Sequence, residues 1–154
     1  MQKMRNREQE VNFENEHSEI VVNLIDKLQD FLLQKIKKEA KWQQFYIQYV
    51  FLDDEALLEI NKEFLNHDYY TDIITFDLSS EEDCLESDIY ISLDRVKENA
   101  KNLNITFDEE LHRVLFHGIL HLLGWNDASK EDEAKMREQE NIWIEEFNTY
   151  LNEN

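Results

Sequence analysis

The chain contains no proline and only two glycines, and both glycines, Gly118 and Gly124, fall inside one short run from His117 to Asp127. Proline and glycine are the usual punctuation of linkers and tight turns. With neither available elsewhere there is no Pro/Gly-rich boundary, and 154 residues are expected to form one domain, residues 1–154, around one sizeable core. The run itself reads His117-Gly-Ile-Leu-His121-Leu-Leu-Gly124-Trp-Asn-Asp127. Its two histidines stand at i and i+4, on one face of a helix. Gly124 can take a left-handed backbone and end that helix. The chain can then turn back, so that Asp127 meets the two imidazoles. Three nitrogen and oxygen donors with room for water in a fourth position are the pattern of a catalytic zinc site.

The remaining pattern reads as alternating strands and helices. Val11-Asn-Phe-Glu-Asn alternates as an edge strand does. From His17, with Ser18 as N-cap, Val21, Leu24, Leu28, Phe31 and Ile36 form a helical stripe ending near Glu39. Lys35, Lys37, Lys38 and Lys41 gather at its C-terminal end, where cations suit the helix dipole or could contact RNA. Phe45, Ile47 and Tyr49 mark a strand. Asp53 or Asp54 caps a helix through about Leu65, with Leu57, Leu58, Ile60 and Phe64 inward. Ile73 to Phe76 is a strand, Ser79 to Glu86 an acidic connection, and Asp88 to Leu93 another strand. Helices follow from Asp94 to Asn104, Asp108 to Leu123, and Lys130 to Leu151, the last carrying Ile142, Trp143, Phe147 and Tyr150. The order β-α-β-α-β-β-α-α-α predicts an α+β fold: a small mixed sheet of about four strands with about five helices, one of them a zincin-like metal-binding helix.

Charge narrows the function classes. Thirty-five acidic and 16 basic residues give a net charge of −19. Such a surface opposes non-specific attraction to nucleic acid, so any RNA role needs a local basic patch or a partner, and DNA binding is not expected. No apolar stretch approaches transmembrane length. Met1 to Arg7 is basic but leads into Glu8 and polar residues, unlike a secretory signal. The lone Cys84 cannot form an internal disulfide, which fits a reduced, cytoplasmic protein.

The spacing of His117, His121, Gly124 and Asp127 is shared with the long zinc-protease signature, where a third His ends the run. A zinc protease carries a Glu general base beside its first histidine. That position here is Gly118, so that base is absent. Asp127 has a second reading, as a cap of the last helix. Asp72 is a candidate for orienting a ligand, with a strand-end turn as its alternative. His112 points away from the pair and reads as a surface or packing residue; His17 and His67 have no evident partner.

These residues resemble the signature of the YbeY family, bacterial rRNA maturation factors described as metal-dependent single-strand endoribonucleases. Leu58-Glu-Ile-Asn61-Lys-Glu-Phe64, Thr71-Asp72-Ile-Ile-Thr75-Phe76 and Ser87-Asp88-Ile89-Tyr-Ile91 resemble the family's central helix and strands. The resemblance implies a small α+β domain and one zinc ion on His117, His121 and Asp127. It also implies processing of the 3′ end of 16S rRNA, ribosome quality control, and the small ribosomal subunit or its proteins as partners. Alternatives are an assembly factor acting by binding alone, with a structural metal, or a zinc hydrolase of a non-nucleic substrate. The chain departs from the family at four places. Asp127 replaces the usual third His, Leu65 the usual Arg, Ser87 a Gly, and Tyr70 a Pro. The carboxylate at 127 lowers the net charge at a divalent ion and with it the ion's Lewis acidity.

Overall fold

The computed structural model describes residues 9–153. The non-secretory reading of Met1 to Arg7 falls outside them. The elements are β1 (Gln9–Asn15), α1 (Ile25–Glu39), β2 (Gln44–Leu52), α2 (Asp54–Leu65), β3 (Ile73–Asp77), β4 (Cys84–Ser92), α3 (Leu93–Leu103), α4 (Phe107–Leu122) and α5 (Lys130–Glu153). Their order and type are those expected from the sequence. The strands form one mixed sheet in the order β1-β2-β4-β3. β1 and β4 each pair parallel to β2, while β3 returns antiparallel along β4.

Alternation along the strands gives the sheet two faces. Val11, Phe45, Ile47, Tyr49, Phe51, Leu85, Ile89 and Ile91 point to the main core, shared with Leu28, Leu32 and Ile36 of α1 and with α3, α4 and α5. Trp143 and Phe147 of α5 are buried there, each worth about 2–3 kcal/mol of transfer free energy. The buried Tyr49 hydroxyl donates to the Leu115 carbonyl at 2.7 Å, so its polar end is satisfied inside the core. The opposite face carries Val50, Leu52 and Ile74, which pack with Leu57 of α2. The Asp53 side chain caps α2 by accepting from the Ala56 N–H.

Four expectations are corrected. Helix α1 begins at Ile25 rather than near His17, and Ser18 is not its cap. The His17 ring explains this. Its Nδ1 accepts from the Glu19 and Ile20 N–H groups, both at 3.1 Å, and its Nε2 meets Asp94 Oδ1 at 2.8 Å. The segment is thereby held in a turn, and Leu24 at φ 66° breaks any helix before Ile25. Val21, assigned to the stripe, is exposed. Second, β4 starts at Cys84, so the acidic connection is shorter than expected. The Ser79 hydroxyl accepts from Glu86 N–H, and Leu78 N–H donates to the Glu86 carbonyl, closing the β3–β4 hairpin early. Third, Phe64 is exposed, resting edge-on against Phe76 rather than in the core. Fourth, Ile142 faces solvent while its neighbour Trp143 fills the core.

The lysine cluster at the end of α1 is partly structural. Lys35 Nζ pairs with Glu146 at 2.7 Å and Glu39 at 3.1 Å and lies over the Trp143 ring. It ties α1 to α5. His112 is a packing residue, buried and T-shaped against Phe147. Among the described residues no helix is long and apolar enough to cross a membrane.

Candidate metal and active site

Helix α4 is built to present one polar face from a buried frame. Thr106 and Glu109 close a capping box at its start, and Asp108, Glu109 and Glu110 suit the positive end of its dipole. Leu111, Leu115, Phe116, Ile119 and Leu120 are buried. Gly118 sits against the sheet, where an added Cβ would lie 3.1 Å from Ile73 Cδ1 and 3.2 Å from Ile89 Cδ1. That closeness sets the depth of the helix on β3 and β4. At the other end Gly124, with φ +108°, lets the chain leave the helix, and the Trp125 N–H reaches back to the Leu120 carbonyl at 3.0 Å.

The turn brings Asp127 back to His117, with Oδ2 and Nε2 3.7 Å apart. Asp127 is not the cap of α5. Ser129 Oγ takes that role, accepting from the Asp132 N–H at 3.1 Å. Behind the imidazole stands Glu140 of α5, only 4% exposed. Its Oε2 lies 2.7 Å from His117 Nδ1, and its Oε1 lies 3.1 Å from Arg113 Nη1 and 3.5 Å from Arg137 Nε. The hydrogen bond to Glu140 raises the His117 pKa above its ordinary 6.5, against burial, which lowers it. With Nδ1–H committed to Glu140, the neutral ring has its lone pair on Nε2, the nitrogen that lies 3.7 Å from Asp127.

These groups line a cleft of about 570 Å³ between β3, α4 and α5. Its walls include Thr71, Asp72, Glu110, Arg113, His117 and Asp127, with Glu133, Arg137 and Glu140 from α5. Asp72 stands just before β3, so it does occupy a strand end. Its carbonyl accepts from Ser92 N–H at 2.9 Å, and its carboxyl faces the cleft, with Asn99 Nδ2 at 3.5 Å. Burial pushes that carboxyl above the usual range, partly offset by the nearby His117. Glu110 is buried too, with Oε1 lacking a partner among the described residues, and burial raises its pKa.

His121 is placed differently. It lies one turn beyond His117, is exposed, and is not part of the cleft wall. Among the described residues no group of three or more His, Cys, Asp or Glu side chains converges on a common point. The donor chemistry nevertheless fits a divalent ion at His117 and Asp127. Two donors about 2.1 Å from one tetrahedral ion stand about 3.4 Å apart, close to the separation found here. A buried carboxylate orienting a histidine is also the usual support of such a ligand.

A family model described as Endoribonuclease YbeY matches residues 4–148. The chain belongs to the YbeY endoribonuclease family. An Endoribonuclease YbeY from Flavobacterium psychrophilum is 40% identical over 143 residues, covering 93% of this chain and 96% of that protein. One from Porphyromonas gingivalis is 58% identical over 94 residues, covering 61% of this chain. That match spans 62% of the relative's own length. The solution structure of a Thermotoga maritima protein superposes with a TM-score of 0.61 at 29% identity, covering 90% of this chain and 88% of that one.

The fold accounts for two departures from the YbeY pattern. The Ser87 hydroxyl donates to the Phe76 carbonyl at 2.7 Å, adding a cross-strand bond that glycine could not make. Tyr70 covers the Arg95 guanidinium at 5.2 Å and its hydroxyl donates to Glu55. Leu65, at the end of α2, is not part of the cleft wall. The residue that sequence reasoning missed is Glu140. Its signal was present: Met136, Glu140, Trp143 and Phe147 form one helical stripe, with an acid at a core position.

Proposed function

We propose that this chain, residues 1–154 acting as a single domain, is a metal-dependent endoribonuclease for single-stranded RNA. Its proposed work is maturation of the 16S rRNA 3′ end and ribosome quality control in the cytoplasm. Its proposed partners are ribosomal RNA and the small ribosomal subunit or associated proteins. The observation that carries the reading is the pairing of His117 with Asp127 across the cleft, backed by buried Glu140.

His117, His121 and Asp127 would hold one zinc ion or another divalent ion. Such an ion lowers the pKa of a coordinated water and polarises a phosphoryl oxygen. The protein does the rest. Glu140 holds the His117 proton on Nδ1 and so presents Nε2 to the cleft. Asp127 supplies an anionic donor at the rim. Asp72 faces the same space and is proposed to orient a ligand there. Gly118 leaves no room for a protease-type base beside His117, because its missing side chain would point into Ile73 and Ile89.

A second reading, an assembly factor that binds without cutting, draws support from the net charge of −19 and the exposed His121. Ultrapure protein, reconstituted with zinc and given single-stranded rRNA, separates the two. Cleavage supports the nuclease, whereas ribosome binding without cleavage supports the second reading.

A further inference from the structure

A nuclease with a net charge of −19 must attract a polyanion to a wall that is itself acidic. Asp72, Glu110, Asp127, Glu133 and Glu140 all line the cleft, and among the described residues Arg113 and Arg137 are the Lys or Arg side chains that oppose them. Leu65, at the end of α2, is uncharged and lies outside the cleft wall. Any phosphate entering this space needs a local cation, and the cleft offers these two.

Their placement is specific. Arg113 lies on the same face of α4 as Glu110 and His117, at steps of three and four residues. Arg137 lies one turn before Glu140 on α5. Both guanidiniums meet the same oxygen, Glu140 Oε1, while Oε2 of that carboxylate holds His117. One buried carboxylate thus sets the position of the imidazole and of both cations. Arg113 is largely buried, with a side chain 19% exposed, and is tightly held. Arg137 is 59% exposed and meets Glu140 through Nε, so its two Nη groups remain without a partner among the described residues. A planar guanidinium with two free Nη donors can take a phosphate in bidentate fashion.

We propose that Arg137, seconded by Arg113, is the phosphate-binding element of this cleft, holding the RNA backbone beside His117. Glu140 acts as the positioning residue that keeps the cations in register with the imidazole. The inference rests on the endoribonuclease reading, and binding can be measured apart from catalysis. Chelator-treated protein is titrated into a fluorescein-labelled single-stranded oligouridylate, followed by anisotropy over a range of salt.

Arg137→Ala, whose side chain is mostly solvent-exposed, is expected to keep the wild-type melting temperature. It should weaken RNA binding about ten-fold, the effect of losing one charge-assisted contact. The slope of log affinity against log salt should fall by about 0.7, the value for one lost phosphate contact on a single strand. Arg137→Lys should restore the salt slope and only part of the affinity, since an ammonium keeps the charge without the fork. Unchanged affinity and slope in Arg137→Ala, with wild type binding normally, overturn this inference alone. If wild type neither binds the oligonucleotide nor cuts it after metal loading, the endoribonuclease reading falls and the inference with it.

Discussion

Glu140 Oε2 and His117 Nδ1 lie 2.7 Å apart, joining the middle of α5 to the polar face of α4 beneath the cleft. This contact does more than pair two side chains. It fixes which imidazole nitrogen carries the proton, so that the other is available at the cleft.

Replacing Glu140 by Gln keeps the shape and removes the charge. The variant is expected to bind zinc about 10- to 100-fold more weakly, the usual effect of losing a carboxylate behind a histidine ligand. Competition with a chromophoric chelator measures this, and the ¹⁵N shifts of His117 report the tautomer. Wild-type affinity and an unchanged tautomer would show that Glu140 only packs.

Gly118 marks where this site parts from zinc proteases. Gly118→Glu would place a carboxylate against Ile73 and Ile89 rather than in the cleft. The expected result is a loss of about 3 kcal/mol or more in urea denaturation, from overpacking and an unpaired buried charge, with no peptidase activity gained. A stable variant that hydrolyses casein would contradict the placement of this glycine.

Burial holds the His112 imidazole below its ordinary 6.5, with Asp108 and Glu109 pulling the other way. The unfolded chain therefore takes up a proton first as the medium is acidified. Its contribution is fully favourable above about pH 6.5 and is lost as pH falls toward the lowered folded value, by at most about 1.4 kcal/mol per pH unit. His112→Leu is expected to flatten the fall in stability between about pH 6.5 and 5.5. Denaturant titrations at the two pH values check this, and identical pH dependence in both proteins would count against it.

Much of the architecture was legible because hydrophobic periodicity reports burial directly. Phe45, Ile47 and Tyr49 alternate and lie in the core, and Leu28, Phe31 and Ile36 step along a buried helix face. Gly124 ends α4 as its position suggests. What periodicity missed was set by long-range polar contacts. Val21 continues the stripe of α1 but lies outside the helix, because His17 bonds to Asp94, far away in sequence. Phe64 follows the inward pattern of α2 but meets the Phe76 ring of β3 edge-on and stays exposed. The cleft shows the same division. His117 and Asp127 were readable from spacing, whereas the carboxylate behind them and the two arginines arrive from α5 and from another turn of α4. Spacing alone also grouped His121 with them, while its ring is exposed.

Cleavage of single-stranded rRNA by ultrapure, zinc-reconstituted protein, run beside His117→Ala with metal content determined on both, tests the central claim most directly. Wild type is expected to retain zinc near one ion per chain and to cut the RNA, while His117→Ala loses both and keeps its fold by circular dichroism. Wild-type protein that holds no metal across repeated preparations, or a cutting activity that persists undiminished in His117→Ala, would contradict it.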